Sequence, residues 1–114
     1  MKATFVELPA FAHCRDRYLD EEGFRELQSL LLKDPFAGDV IEGTGGLRKL
    51  RFPDRRRGKG KRGGLRVIYF WWEAGLQFWL FTLFAKDEAS DLTRAQREGL
   101  RRSIKLELEA RRSK

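Results

Sequence analysis

The first apolar positions, in residues 3–8 (Ala-Thr-Phe-Val-Glu-Leu), read as a short strand stopped by Pro9. Phe11, Cys14 and Tyr18 with Leu19 then follow at helical spacing. Asp20 stands where a helix N-cap is expected, with Glu21 and Glu22 in the first turn. Phe24, Leu27, Leu30 and Leu31 give that second helix its apolar stripe, and Asp34-Pro35 stops it. A helical hairpin therefore follows the first strand. Residues 36–46 hold Gly38, Gly43, Gly45 and Gly46 and are expected to form a connection. Leu47 to Phe52 reads as a strand ended by Pro53, and residues 54–64 as a basic, glycine-rich loop. Two apolar β-type runs come next, Leu65–Glu73 and Leu76–Phe84, with a turn at Ala74-Gly75. Their apolar residues fall on both faces, which predicts central strands covered on each side. Thr93 and Gln96 make a capping-box pattern for a helix to about residue 111. Leu100, Ile104 and Leu108 line its inner face, and Arg97, Arg101 and Lys105 lie on another, read as a solvated one. The order is β-α-α-β-β-β-α, an α+β domain.

Composition narrows the class. The length of 114 residues suits one domain, 1–114, and no internal repeat or linker breaks it. A hydrophobic content of 41%, with nine Phe and three Trp, argues for a real core. Trp71, Trp72 and Trp79 are expected in that core. One Cys cannot form an internal disulfide, and no apolar run approaches the about 20 residues of a membrane span. The segment from Met1 to Glu7 lacks the features of a signal peptide, so the expected location is the reducing cytoplasm.

The net charge of +7 is concentrated. Residues 48–66 carry 10 basic side chains against Asp54 alone, a balance of +9. Residues 1–47 stand at −4 and residues 67–114 at +2. A focused basic segment points to a polyanion, RNA or DNA first.

Several chemistries fall away. One His and one Cys nearly exclude a zinc site. Gly58 to Gly64 resembles a phosphate loop only in composition, because the G-x-x-x-x-G-K-[ST] spacing is missing. Gly43-Thr44-Gly45-Gly46 fails the dinucleotide fingerprint at Arg48. His13 and Cys14, adjacent on a helix, point apart; His13 reads as a surface residue and Cys14 as core. No metal and no cofactor is expected.

Alternation along residues 47–52 places Lys49 and Arg51 on one face and Leu50 and Phe52 on the other. Arg66 opens the next strand, and Lys59, Lys61 and Arg62 sit on the intervening loop. Pairing the strands as a hairpin gathers these cations on one sheet surface. RNA carries its own nucleophile, the 2′-hydroxyl. A protein that aligns it with the adjacent phosphorus and stabilises the added negative charge can cut without metal or histidine. Arginines suit the charge-stabilising role, and a lysine crowded by arginines suits proton exchange.

Gly43 to Arg51, Gly58 to Gly64 and Arg66-Val67-Ile68-Tyr69 together resemble the HigB-like branch of the RelE/ParE toxin superfamily. The likeness continues through Phe84-Ala85-Lys86-Asp87-Glu88 and Ser90-Asp91-Leu92 and spans nearly the whole chain. It implies a RelE-like fold, a mainly antiparallel sheet packed against an N-terminal helical hairpin and a C-terminal helix. It also implies a type II toxin that cuts mRNA in the ribosomal A site. Its partners would be a HigA-like helix-turn-helix antitoxin, the 70S ribosome and mRNA. By position, Lys49, Arg51, Arg66 and Lys86 match the catalytic basic residues, with Arg66 on the scissile phosphate. Lys59, Lys61 and Arg62 would grip ribosomal RNA, and Phe84 would stack a base.

This chain also departs from the pattern. Phe84-Ala85 stands where relatives often place Tyr before a Gly-Lys pair, Asp87 replaces a basic residue, and Thr93 stands near a later tyrosine. Tyr69 remains, with a strand position that can turn it into the core. The competing readings are a noncatalytic ParE-like toxin of DNA gyrase and a noncatalytic ribosome binder.

Overall fold

The computed structural model describes residues 2–89 and 91–112; Met1, Ser90 of the Ser90-Asp91-Leu92 motif, Ser113 and Lys114 lie outside the described residues. Strand β1 (Thr4–Glu7) leads into helices α1 (Pro9–Tyr18) and α2 (Glu21–Lys33). Strands β2 (Asp39–Val40), β3 (Arg48–Phe52), β4 (Leu65–Trp72) and β5 (Gln77–Ala85) follow, and helix α3 (Arg94–Arg112) comes last. The five strands form one sheet in the order β1-β5-β4-β3-β2. Only β1 on β5 is parallel; the other pairs are antiparallel. The α+β architecture agrees with the sequence reading, and so does the element order apart from the added strand β2.

Local chemistry sets the helix ends. Pro9 both stops β1 and starts α1, where a missing N–H costs nothing. Asp20 caps α2, its Oδ1 accepting from the Gly23 N–H at 2.7 Å. Thr93 and Gln96 form the reciprocal capping box, with bonds of 2.8 and 3.1 Å.

Two structured pieces lie where only connections were expected. Asp39 and Val40 form the short edge strand β2 against Lys49 and Arg48. Tyr69 fixes the chain just before it: its hydroxyl donates to Pro35 O at 2.8 Å and accepts from the Gly38 N–H at 3.0 Å. The second is a 3-10 turn at Arg55–Arg57, closed by a bridge between Asp54 and Lys59. Both are too short for periodicity to register.

The core lies in two layers. Phe11, Leu27 and Leu31 of the helical hairpin pack on Leu50, Val67, Tyr69, Phe78 and Leu80. On the opposite face, Ile104 with Leu100 and Leu108 of α3 packs on Ile68, Trp79 and Phe81. This explains why β4 and β5 read as apolar throughout. The sheet divides the tryptophans, Trp71 going to the hairpin side and Trp72 and Trp79 to the α3 side.

Pairing of β4 with β5 slips by one residue between Ile68 and Tyr69: Ile68 faces Thr82, whereas Tyr69 faces Leu80. Phe81 is the extra residue, and it is buried on the α3 side. A bulge of this kind resets alternation on one strand. Phe78 and Leu80 face the hairpin, yet so do Leu83 and Ala85.

The cap bond makes a direct stability prediction. Asp20→Ala should lower unfolding free energy by about 1 kcal/mol in a urea titration, with an unchanged denaturant slope. An unchanged midpoint would show that α2 does not depend on this cap.

Candidate nucleic-acid interface

Helix α3 covers only part of its sheet face. Beyond its apolar stripe, one cross-strand row holds Arg51 of β3, Arg66 of β4 and Phe84 of β5. The next row holds Lys49, Ile68 and Thr82. Lys86 follows directly after β5, its backbone N–H donating to Gly64 O at 2.9 Å. Were Phe81 paired in regular alternation instead of bulged, Phe84 would share the face of Leu80 rather than that of Arg66.

The members of this surface differ in exposure. Arg51 and Lys86 are exposed, Lys49 and Phe84 half-buried. Phe84 packs one side against the α3-side core. Arg66 is buried, with 4% of its surface exposed. One of its terminal nitrogens donates to the carbonyls of Lys61 (2.9 Å) and Leu65 (3.1 Å), and the other to that of Arg62 (2.8 Å). Burial first, and the like charge of Arg51 second, lower its pKa. An arginine remains a cation at neutral pH under such pressure. Arg66 thus holds the backbone of the basic loop while adding fixed charge behind Arg51.

The basic loop is tied at several points. Gly64 lies so close to its neighbours that a Cβ there would stand 2.5 Å from Phe52 O and 2.6 Å from Gly60 O. Lys59 pairs with Asp87 at 2.9 Å, and Arg57 meets the same carboxylate. Arg55 pairs with Glu26 at 2.6 Å, and Arg56 donates to Asp16 O at 2.7 Å. Lys61 and Arg62 keep exposed side chains. With Lys33, Lys49 and Arg51 they line an open recess of about 620 Å³ beside β3, to which Asp34 and Asp39 also contribute.

Sequence reasoning did not find the acids that face these cations. Lys49 meets Asp91 at 3.2 Å, so a carboxylate faces this lysine. Asp91 also pairs with Arg97 of α3 at 3.2 Å, so Arg97 is not part of a merely solvated stripe. Asp87 is held down to about 2, chiefly by its hydrogen bonds from Arg57 and then Lys59. Glu88 pairs with Arg17 at 2.8 Å and accepts from the Tyr18 hydroxyl at 2.7 Å. The only signal in the sequence was three acids, Asp87, Glu88 and Asp91, just past a strand that borders the basic face.

His13 is exposed, and Cys14 is half-buried against the hairpin-side core. Among the described residues no group of His, Cys, Asp or Glu is placed to hold a metal ion. No helix among the described residues is long and apolar enough to cross a membrane.

No family model matches the chain. In fold it is similar to a structure of the E. coli toxin RelE, a double arginine-to-alanine mutant in the free state. The TM-score is 0.50 at 14% identity, covering 79% of this chain and 90% of the other. The fold is therefore RelE-like.

The Tyr18–Glu88 contact gives a pH prediction. Burial first, then the Glu88 hydrogen bond, push the Tyr18 phenol up to about 12. A raised pKa contributes stability that is present below about pH 10 and lost as pH rises toward 12. In Glu88→Gln, ultraviolet titration should show Tyr18 ionising earlier, still above an ordinary tyrosine because burial remains. An unshifted titration would rule the contact out.

Proposed function

We propose that residues 1–114 form one toxin domain of a type II toxin–antitoxin system, a metal-independent endoribonuclease that cuts mRNA in the ribosomal A site. The observation that carries this reading is the cross-strand row of Arg51, Arg66 and Phe84, flanked by Lys49 and Lys86, on a RelE-like fold. The row combines cations for a phosphate with an aromatic ring for a base. The motifs from Gly43 to Arg51, Gly58 to Gly64 and Arg66 to Tyr69 supply the HigB-like side of the argument.

In this mechanism the 2′-oxygen attacks the adjacent phosphorus, a 2′,3′-cyclic phosphate forms and the 5′-oxygen leaves with a proton. Arg51, exposed, contacts the phosphate oxygens and neutralises the charge that builds on them. Arg66 adds a fixed positive charge from beneath and keeps the loop carbonyls in place. Lys49 and Lys86 stand on either side as the groups able to exchange protons. Phe84 offers a face for base stacking and no hydroxyl, so no acid or base step is assigned to it. Lys59, Lys61 and Arg62 extend the charge toward ribosomal RNA. Restraint would come from a HigA-like helix-turn-helix antitoxin, and the work would be done in the cytoplasm, where ribosomes are.

The departures at Phe84, Asp87 and Thr93 favour one second reading, a ribosome binder that stalls translation without cutting. Induced expression separates the two. Wild type should arrest growth and produce cuts within translated messages by primer extension. Arg51→Ala should lower cutting by about 10²-fold or more while the chain stays folded. Arrest without cuts would support the binder, and undiminished cutting by Arg51→Ala would refute the assigned site.

A further inference from the structure

Two carboxylates on the basic face each sit in a fork of two cations. Asp87 lies between Arg57 and Lys59, and Asp91 between Lys49 and Arg97. The four cations come from β3, the loop after it and α3, yet they converge on the one short segment between β5 and α3. Glu88 anchors that segment to α1 through Arg17 and Tyr18. Its backbone is fixed by the Lys86 N–H on Gly64 O and by the Glu88 and Ala89 N–H groups on Ala85 O.

These forks are poor candidates for structural cement. All six side chains are a quarter to nearly half exposed, and exposed ion pairs hold weakly and exchange readily. The Lys49–Arg97 fork brings two positive charges to one negative and so retains net attraction for an anion. In the other, Arg57 also meets the buried Asp54 at 3.6 Å, and Asp87 is the exposed negative charge that a phosphate would replace. Carboxylate and phosphate oxygens accept from the same donors with similar geometry. Neither aspartate belongs to a strand, so displacing it opens no strand pairing, although Asp91 would also release the Leu92 N–H that its Oδ1 accepts at 2.8 Å.

We propose that Asp87 and Asp91 hold the places of RNA phosphates: they occupy the Arg57–Lys59 and Lys49–Arg97 forks in the free protein, and RNA backbone phosphates displace them. The idea rests on the RNA-cutting reading and deepens it. Arg57 and Arg97 join the binding surface, and the segment after β5 becomes a brake on it. Free protein is shielded from indiscriminate RNA, and only a ligand that delivers two suitably spaced phosphates meets the full charge of the face.

The test is fluorescence polarisation with a labelled single-stranded oligouridine over a salt series. The paired variant Asp87→Asn/Asp91→Asn should bind about tenfold tighter than wild type near 0.1 M salt, with a salt slope steeper by about one to two. The control Glu22→Gln/Glu42→Gln changes net charge equally at exposed positions away from the forks. It should stay within about twofold of wild type at that salt. Equal gains in both pairs would overturn the proposal, because net charge alone would then explain them. Arg57→Gln/Arg97→Gln should weaken binding by about tenfold, and no weakening would overturn it even if the aspartate variants failed to fold. Binding by every variant without discrimination would defeat the brake alone. Failure of wild type and all variants to bind would defeat the brake together with the RNA-cutting reading.

Discussion

The extra residue at Phe81 governs where the candidate chemistry can stand. A strand presents alternate residues to alternate faces, so without a bulge Phe84 would follow Phe78 and Leu80 toward the helical hairpin. The bulge absorbs Phe81 opposite the Ile68–Tyr69 step, so that Phe84 stands on the side of Arg66 and Arg51. The same bulge keeps Leu83 and Ala85 in the hairpin-side core. One residue thus reconciles two demands on β5, a continuous core beneath and a mixed aromatic and basic row above.

That row exists because α3 is an incomplete cover. Its stripe of Leu100, Ile104 and Leu108 buries the apolar part of the sheet face and leaves the ends of β3, β4 and β5 open. Cations gathered on an open sheet surface repel one another, and the structure answers in two ways. Arg66 goes beneath the surface and directs its terminal nitrogens to carbonyls. Asp87 and Asp91 meet the others from the segment after β5. Fixed charge and a held loop are what a phosphate-binding surface requires before its ligand arrives.

Much of this was legible in the sequence, and the limits have physical causes. The Asp20 cap, the Thr93–Gln96 box and the stripe on α3 are local signals, each spanning one or two turns. The central position of β4 and β5 followed from apolar residues on both faces, and the split of Lys49 and Arg51 from Leu50 and Phe52 followed from alternation. Strand β2 escaped because two residues hold no period. The bulge escaped because Phe81 is one apolar residue among many in β5. The pairing of Arg51 with Arg66 and Phe84 is a matter of register, and register is set by contacts between strands. Burial of Arg66 and its bonds to the Lys61 and Arg62 carbonyls depend on how the basic loop closes, which composition does not encode. The facing acids were visible as residues; their targets lay on elements distant in sequence.

The proposed reaction, cleavage of mRNA where the ribosomal A site is open, draws its support from the row of Arg51, Arg66 and Phe84 on a RelE-like fold. The direct measurement uses purified protein and 70S ribosomes programmed with a defined mRNA, with the A site either vacant or filled by cognate tRNA. Primer extension and analysis of the cut ends read the result. The account predicts cuts within the A-site codon of vacant ribosomes, leaving a 2′,3′-cyclic phosphate, and protection when tRNA fills the site. Intact mRNA on vacant ribosomes, or equal cutting of mRNA without ribosomes, would contradict it.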